Sequence, residues 1–341
     1  MLIGIDASRA TAAQRTGTEN YSLHLIRALL TQDKAHRFRL YFNQPPLPRL
    51  LPGVAEQRVI PLPRLWTHFR LSWEMLTHPP DLLFVPSHVL PLIHPRHSVV
   101  TVHDLGYHYY PETHTLFQNV YLRWSTRFNA HAAARVLADS QATRRDLVQF
   151  YRIPQEKIVV VYPGRDETLA PITDPALLAA VRARYRLSEP YLLYVGTLHP
   201  RKNLVRLVQA FAQLPSPQSP MSSIQLVLAG KKGWLYHEID AEIRRLGLAE
   251  RVVLTGFVPD ADLPALLSGA LACVFPSLHE GFGFPVLEAM ACGTPVVCSN
   301  ASSLPEVAGD AALLVDPLDT EALTEALVQM VTHEGLRRDL V

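Results

Sequence analysis

Short apolar segments of strand length alternate with segments of helical period along the whole chain, and the alternation starts over once. In the first half, residues 2–6, 39–42, 81–85, 98–103, 135–138 and 157–162 read as strands. Residues 19–30 repeat Leu23, Leu25, Ile26, Leu29 and Leu30 at helical spacing, and Ser140 is placed to cap a helix over 141–151. After residue 190, strands at 191–195, 224–229, 252–254, 273–275 and 296–298 alternate with helical segments at 204–214, 241–246, 263–268 and 283–291. Strands that are apolar on both faces, each followed by a helix, predict a parallel sheet covered on both sides. Two such runs predict an α/β chain of two Rossmann-like, doubly wound domains: 1–170 and 190–341, joined by a proline-bearing linker at 171–189. PSPQSPMSS at 215–223 reads as a surface loop. Ligands of open α/β sheets sit beyond the carboxyl ends of the strands. That rule predicts one cleft surrounded by segments 4–17, 103–104, 196–202, 230–234 and 275–283.

Hydrophobic residues make up 48% and charged residues 18% of the 341, enough to fill two cores and too apolar for a disordered chain. The net charge of +1 hides an asymmetry. Residues 1–170 hold 19 Lys and Arg against 13 Asp and Glu (+6); the rest hold 13 against 18 (−5). The first half is therefore expected to meet something anionic, a membrane surface or a phosphorylated acceptor, unless the excess is only solvated surface charge. No nucleic-acid partner is expected. The start MLIGIDAS enters a strand with no basic leader, and no apolar run has spanning length, so the expected location is cytoplasmic, with the inner membrane face as an option. Cys273, Cys292 and Cys298 fit no disulfide or zinc spacing and read as reduced core thiols.

The most specific string is PSLHEGFGFPVLEAMACGTPVVCS, 276–299. Glu280 precedes a Gly-Phe-Gly turn and Glu288 lies within the helix that follows. Carboxylates at such places accept hydrogen bonds from vicinal hydroxyls, which sugars and ribose present. The glycines permit close backbone approach, and a helix start offers N–H groups to a diphosphate. In YVGTLHPRKNL (194–204), Gly196 ends a strand, and Arg201 with Lys202 suits two phosphates and the charge on a departing diphosphate. AGKKGW (229–234) places Gly230 and Lys231 at another strand end, and TGFVPDADL (255–263) holds Phe257 and Val258. Asp260-Ala261-Asp262 has the form of a metal-binding DxD. Its position before a helix favours an N-cap and dipole role, and no metal site is expected. His103 and Asp104 end a strand, where the ring could donate to a sugar hydroxyl. Gly17 opens the first helix.

These strings resemble the retaining glycosyltransferases of family 4, which adopt the GT-B fold, and within them bacterial mannosyltransferases that build surface polysaccharides. The resemblance runs from the Gly17 loop to 314–316. It implies that Glu280 contacts the transferred sugar and Glu288 the ribose, and that the backbone of Gly281, Phe282, Gly283 and Phe284 meets sugar and phosphates. It implies Arg201 and Lys202 on the diphosphate, the nucleobase near Phe257 and Val258, and His103 against the donor sugar, with Asp104 orienting that ring or helping bind the acceptor. Relatives carry a glycine-rich turn where this chain has Thr-Gly-Thr-Glu, so Gly17 could equally shape the acceptor side. The implied reaction is metal-independent transfer of a hexose to a glycan or lipid-linked saccharide by a front-face mechanism. GDP-mannose is the favoured donor and a UDP-hexose the alternative. Relatives also continue into a terminal helix that returns to the first domain, so the end at 337–341 is expected to be a short or truncated crossover.

RLWTHFRLSWEM (64–75) and LFQNVYLRWSTRF (116–128) mix arginines with aromatics. They read either as helices at a membrane interface or as core helices whose arginines reach outward; the second is the working expectation. A nucleotide-sugar epimerase, a phosphorylase and a non-catalytic nucleotide-sugar binder share the two-domain outline. An oxidoreductase is disfavoured, because no G-x-G-x-x-G follows the first strand.

Overall fold

The computed structural model describes every residue except 13, 14, 16, 49, 54, 63, 64, 88 and 215–223; the loop expected at 215–223 lies outside the described residues. The chain forms two compact units. One is Met1–His108 with His114–Pro163, the other Gly164–Val341 with Tyr109–Thr113.

The first unit is a seven-stranded parallel sheet in the order β3-β2-β1-β4-β5-β6-β7. Its strands are β1 (Leu2–Asp6), β2 (Arg37–Phe42), β3 (Glu56–Val59), β4 (Leu82–Val85), β5 (Ser98–Val102), β6 (Arg135–Ala138) and β7 (Ile158–Val160). Helices α1 (Gly17–Gln32), α2 (Ser72–Thr77), α3 (Gly106–Tyr109), α4 (Leu116–Ala132) and α5 (Gln141–Tyr151) connect them. Side chains alternate across the sheet as the strand period demands. Leu40 and Phe42 pack with Leu23, Ile26 and Leu30 of α1, while Tyr41 joins Leu83, Val85, Val100 and Val102 on the other face. Ser140 caps α5 by accepting the Thr143 amide at 3.0 Å. Edge strand β3, EQRV, has no apolar pattern and escaped the sequence reading. It is held by pairing with β2 in the register Arg39↔Glu56, where Arg39 Nε donates to the Glu56 carboxylate at 2.9 Å.

The second unit is a six-stranded parallel sheet in the order β10-β9-β8-β11-β12-β13. Helix α6 (Pro175–Tyr185) lies within 171–189, capped by Asp174 and started by Pro175, and its Val181 is part of this unit's core. Then follow β8 (Tyr191–Val195), α7 (Leu204–Ala212), β9 (Gln225–Ala229), α8 (His237–Arg245), β10 (Val252–Gly256), α9 (Leu263–Ser268), β11 (Ala272–Phe275) and α10 (Phe284–Ala291). Beyond them lie β12 (Val296–Ser299), α11 (Leu304–Ala308), β13 (Leu313–Val315), α12 (Thr320–Thr332) and α13 (Glu334–Asp339). Strands β8, β9, β11 and β12 are almost wholly buried, which explains their unbroken apolar sequences. All three cysteines are buried free thiols. In each sheet the strand order reverses at one place, between β1 and β4 and between β8 and β11. Such a reversal leaves a crevice at the carboxyl ends of the strands.

Candidate active site

The reversal in the second unit gathers the strongest sequence motifs. Beyond β8, a 3-10 turn covers Pro200–Lys202, and His199 Nδ1 accepts the Arg201 amide at 3.3 Å. The Arg201 carbonyl accepts the Leu278 amide at 2.9 Å, tying this turn to the loop after β11. Asn203, in the left-handed region at φ 60°, donates to the carbonyls of Pro276 (3.1 Å) and Pro317 (2.6 Å). These ties bring Lys202 to Glu280, with Nζ 2.5 Å from Oε1 and 5.3 Å from the centre of the Phe275 ring. Burial pushes the Glu280 carboxyl up, but the charges of Lys202 and Arg201 outweigh it and hold the group below its ordinary value. It is therefore an anion at neutral pH.

The loop carrying Glu280 is pinned. Its amide donates to Ser302 Oγ at 2.8 Å, and the Ser303 hydroxyl reaches the carbonyls of Glu280 (2.9 Å) and Phe282 (2.7 Å). Gly283 sits at φ 119°, where a Cβ would also lie 2.6 Å from Leu304 Cδ2, so the turn admits only glycine. Phe282 is buried edge-on to Phe284. The start of α10 offers fewer amides than its sequence suggested, because Pro285 has no N–H and Val286 already donates to the Gly283 carbonyl at 3.0 Å. His279, which the sequence did not single out, stacks on Tyr109 at 4.8 Å.

Glu288, half-buried on α10, is the opposite of Glu280. Its carboxyl forms no hydrogen bond or ion pair with any described residue. Burial, with the charges of Asp166 and Asp260, pushes it up to about 7. A carboxylate in that state gains from any hydroxyl brought to it.

The neighbouring strand ends pack backbone on backbone. A Cβ on Gly230 would lie 1.8 Å from the Gly196 carbonyl oxygen, so β8 and β9 can leave the sheet together only with glycine there. Lys231 lies 5.0 Å over the ring of Phe257, itself partly exposed, while Val258 packs against the core. Asp262 does not cap α9 as expected. Its carboxylate is bonded to Arg184 and, at 2.7 Å, to the Tyr185 hydroxyl, tying α6 to α9. Among the described residues no His, Cys, Asp and Glu cluster could hold a metal ion.

In the first unit, His103 is buried edge-on to Tyr21 and has both ring nitrogens engaged. Nδ1 lies 2.6 Å from the Asp139 carboxylate and Nε2 2.9 Å from the Pro86 carbonyl. A carbonyl only accepts, so Nε2 carries a proton. Burial disfavours the charged ring, but Asp139 and the carbonyl outweigh it and raise its pKa. Asp104 accepts the Gly106 amide at 2.9 Å, and Gly17 begins α1.

A further feature had no sequence signature beyond a polar Asp6 ending an apolar strand. At the reversal between β1 and β4 lies a cavity of about 200 Å³. Asp6, Arg9, Ser8, Ser87, Thr67, His68 and Tyr121 supply its polar wall, and Trp66 its aromatic one. The Trp66 indole donates to the Ile60 carbonyl at 2.6 Å, and His68 Nε2 pairs with the Tyr121 hydroxyl at 2.9 Å, so both rings are fixed.

Residues 15–169 match the family model described as glycosyltransferase family 4, and residues 182–341 that of glycosyl transferases group 1. Over 341 aligned positions the chain is 32% identical to O-antigen chain mannosyltransferase B of Escherichia coli, covering 94% of this chain and 88% of that one. The chain belongs to the family 4 glycosyltransferases. This glycosyltransferase is also 28% identical to an O-antigen chain mannosyltransferase of Salmonella typhimurium, over 72% of this chain and 64% of that one. Sucrose-phosphate synthase from Thermosynechococcus elongatus superimposes with a TM-score of 0.79 at 22% identity, covering 100% of this chain and 92% of that one. An Anabaena protein solved with UDP and glucose gives 0.76 at 20%, covering 99% and 92%. These likenesses establish the GT-B fold. The family and the relatives make the protein a hexosyltransferase that acts on a nucleotide-sugar donor and a glycan acceptor.

Proposed function

We propose that this glycosyltransferase moves mannose from GDP-mannose to a glycan or lipid-linked saccharide of a surface polysaccharide, with retention of anomeric configuration and without a metal. The choice of sugar is supported by the likeness to O-antigen mannosyltransferase B over 94% of the chain. The observation that carries the chemistry is the Lys202–Glu280 pair at the strand reversal, with Glu288 unpaired on the helix beyond it. The diphosphate lies against Lys202 and Arg201, whose charges stabilise it as the bond to the sugar breaks. Glu280, held ionised by Lys202, accepts hydroxyl hydrogen bonds from the sugar and does not attack the anomeric carbon. Glu288 accepts the ribose hydroxyls. The acceptor hydroxyl approaches the face the diphosphate leaves and gives its proton to a diphosphate oxygen. The engagement of Asp262 by Arg184 and Tyr185 supports a reaction without metal at DxD.

With both nitrogens of His103 occupied inside the first unit, its ring shapes the site through the fixed strand end and does not donate directly from this geometry. The acceptor's terminal sugar fits the cavity at Asp6, with its ring against Trp66 and its hydroxyls toward Asp6, Ser87 and His68. The test is a transfer assay with GDP-mannose and UDP-glucose in the presence of chelator, with the product's anomeric configuration read by NMR. Transfer of α-linked mannose from GDP-mannose supports the reading. Transfer from UDP-glucose alone, or a β-linked product, refutes it.

A further inference from the structure

Helix α4 is built inside out. Its buried side is Asn119, Ser125, Thr126, Asn129 and Ala130. Its outer side carries Leu116 and Phe117, 82% and 80% exposed, with Val120 and Trp124 at least half as open. The polar residues turned inward have work there. Asn129 accepts the Leu90 amide at 3.0 Å, and the Ser125 hydroxyl donates to the Leu122 carbonyl at 3.2 Å. The π-helical turn Thr67–Leu71 and the α2 it runs into repeat the inversion. Glu74 and Ser72 are buried, Glu74 in an ion pair with Arg58, while Phe69, Trp73 and Leu76 are each more than half exposed. The two apolar faces are neighbours, because His68 lies 6.2 Å ring to ring from Trp124 and is bonded to Tyr121. The expectation that these segments are core helices with outward arginines is thus half right: Arg123 and Arg127 point out, and so do Phe69, Trp73, Phe117 and Trp124.

Exposed aromatics of this number cost hydration free energy unless something covers them. The charge around them says what does. Arg123 and Arg127 are exposed beside Trp124, and Arg70 lies between Phe69 and Trp73. The one acidic residue in the two segments is Glu74, which is buried. Tryptophan and phenylalanine flanked by arginine, with no exposed carboxylate, complement the headgroup layer of an anionic bilayer. We infer that this face of the first unit docks on an anionic phospholipid surface, seating Phe69, Trp73, Phe117 and Trp124 at the acyl boundary. The same segments supply Thr67, His68 and Tyr121 to the wall of the cavity. The cavity is thereby offered to a saccharide carried on a lipid in that bilayer; this last step rests on the acceptor reading above.

The test uses the full chain with vesicles of phosphatidylcholine alone and of phosphatidylcholine with an equal part of phosphatidylglycerol. Sedimentation measures binding, and tryptophan emission reports burial. The wild type is expected to bind the anionic vesicles with a blue shift and to release them at high salt. Trp73→Ser with Phe117→Ser is expected to weaken binding roughly tenfold or more. Arg123→Gln with Arg127→Gln is expected to weaken it about fivefold per arginine and flatten the salt dependence. Transfer to a water-soluble saccharide acceptor should be unchanged in both, which also shows that they fold. Absence of vesicle binding at low salt, or binding that the variants do not alter, overturns the inference. So does a wild-type dimer that the Trp73→Ser, Phe117→Ser variant disperses without any vesicle binding. Vesicle binding without sugar transfer would instead leave the docking face standing and remove the proposed function.

Discussion

The two strand reversals are equivalent places in two parallel sheets, yet they are furnished with different chemistry. Between β8 and β11 stand a lysine, an ionised glutamate, an unpaired glutamate and a backbone stripped to glycine at 196, 230 and 283. Between β1 and β4 stand an aspartate, one arginine, hydroxyls, an imidazole and an indole around a half-open cavity. The first set suits a ligand with concentrated charge, where fixed cations and close backbone approach are worth most. The second suits a ligand rich in hydroxyls with an apolar ring face. The carboxylates make the same contrast on a smaller scale. Glu280 has its cation and sits below its ordinary pKa, whereas burial raises that of Asp6, with only the Ser8 bonds and the charge of Arg9 opposing it. The difference teaches that a shared topology sets where a ligand binds, and the side chains at the strand ends set which one.

The sharpest break of this comparison is at the cations. Lys202→Ala or Arg201→Ala should lower turnover by roughly tens- to a thousand-fold, as loss of one fixed charge at a developing anion does. Lys202→Ala also leaves Glu280 buried without its partner, a loss of up to about 3–5 kcal/mol. Lys202→Ala combined with Glu280→Gln removes that penalty, so turnover of the double variant, measured against Glu280→Gln alone, isolates the chemical role of Lys202. Wild-type turnover in both single variants would erase the distinction between the two reversals.

The two glutamates should then separate by ligand and by pH. Glu288→Gln is expected to weaken GDP and GDP-sugar alike, by about 1.5–3 kcal/mol in calorimetry, while Glu280→Gln spares GDP and damages turnover. The folded-state pKa of Glu288 is raised from 4.5 to about 7. Its ionisation therefore opposes folding: the penalty is absent below the unfolded value, grows as pH rises through that interval and is complete above it. The penalty reaches up to about 3 kcal/mol. Glu288→Gln should accordingly stabilise the ligand-free protein above neutrality and leave it unchanged near pH 4.5. Urea denaturation of the two proteins across that range decides it; parallel curves would mean Glu288 is not held as an isolated carboxyl.

A smaller effect is expected in the first unit. Asp6→Asn should raise the acceptor KM about fivefold, the worth of one hydrogen bond to a charged group partly replaced by an amide, and leave the donor KM alone. A rise in the donor KM instead would assign the cavity to the wrong substrate. Smallest of all, chelator should leave transfer unchanged, and Asp260→Asn with Asp262→Asn should lower the melting temperature more than the rate. Activity lost in chelator and restored by manganese would make DxD a metal site after all.

Much of this was legible in the sequence because it is local. The alternation of strand and helix marked both sheets, and the string from 276 to 299 marked Glu280 and Glu288. Ser140 as a cap and the cysteines as core thiols followed from neighbouring residues alone. Strand β3 was missed because EQRV owes its conformation to β2 across the sheet and not to its own side chains. Asp262 was misassigned because its partners lie 77 and 78 residues earlier, on α6.

The sequence by itself determined two parallel-sheet units, the family and the residue types at each strand end, because period and motif are properties of adjacent residues. Only the tertiary structure decided that Lys202 meets Glu280 while the Glu288 carboxyl bonds to no described residue, and that β1 and β4 part around a cavity. It also decided which side of α4 faces water, since a helix with polar residues on one face and aromatics on the other reads the same in either orientation. The reason is physical: pairing, burial and the resulting charge states depend on distances between residues far apart in the chain, and no local pattern encodes those distances.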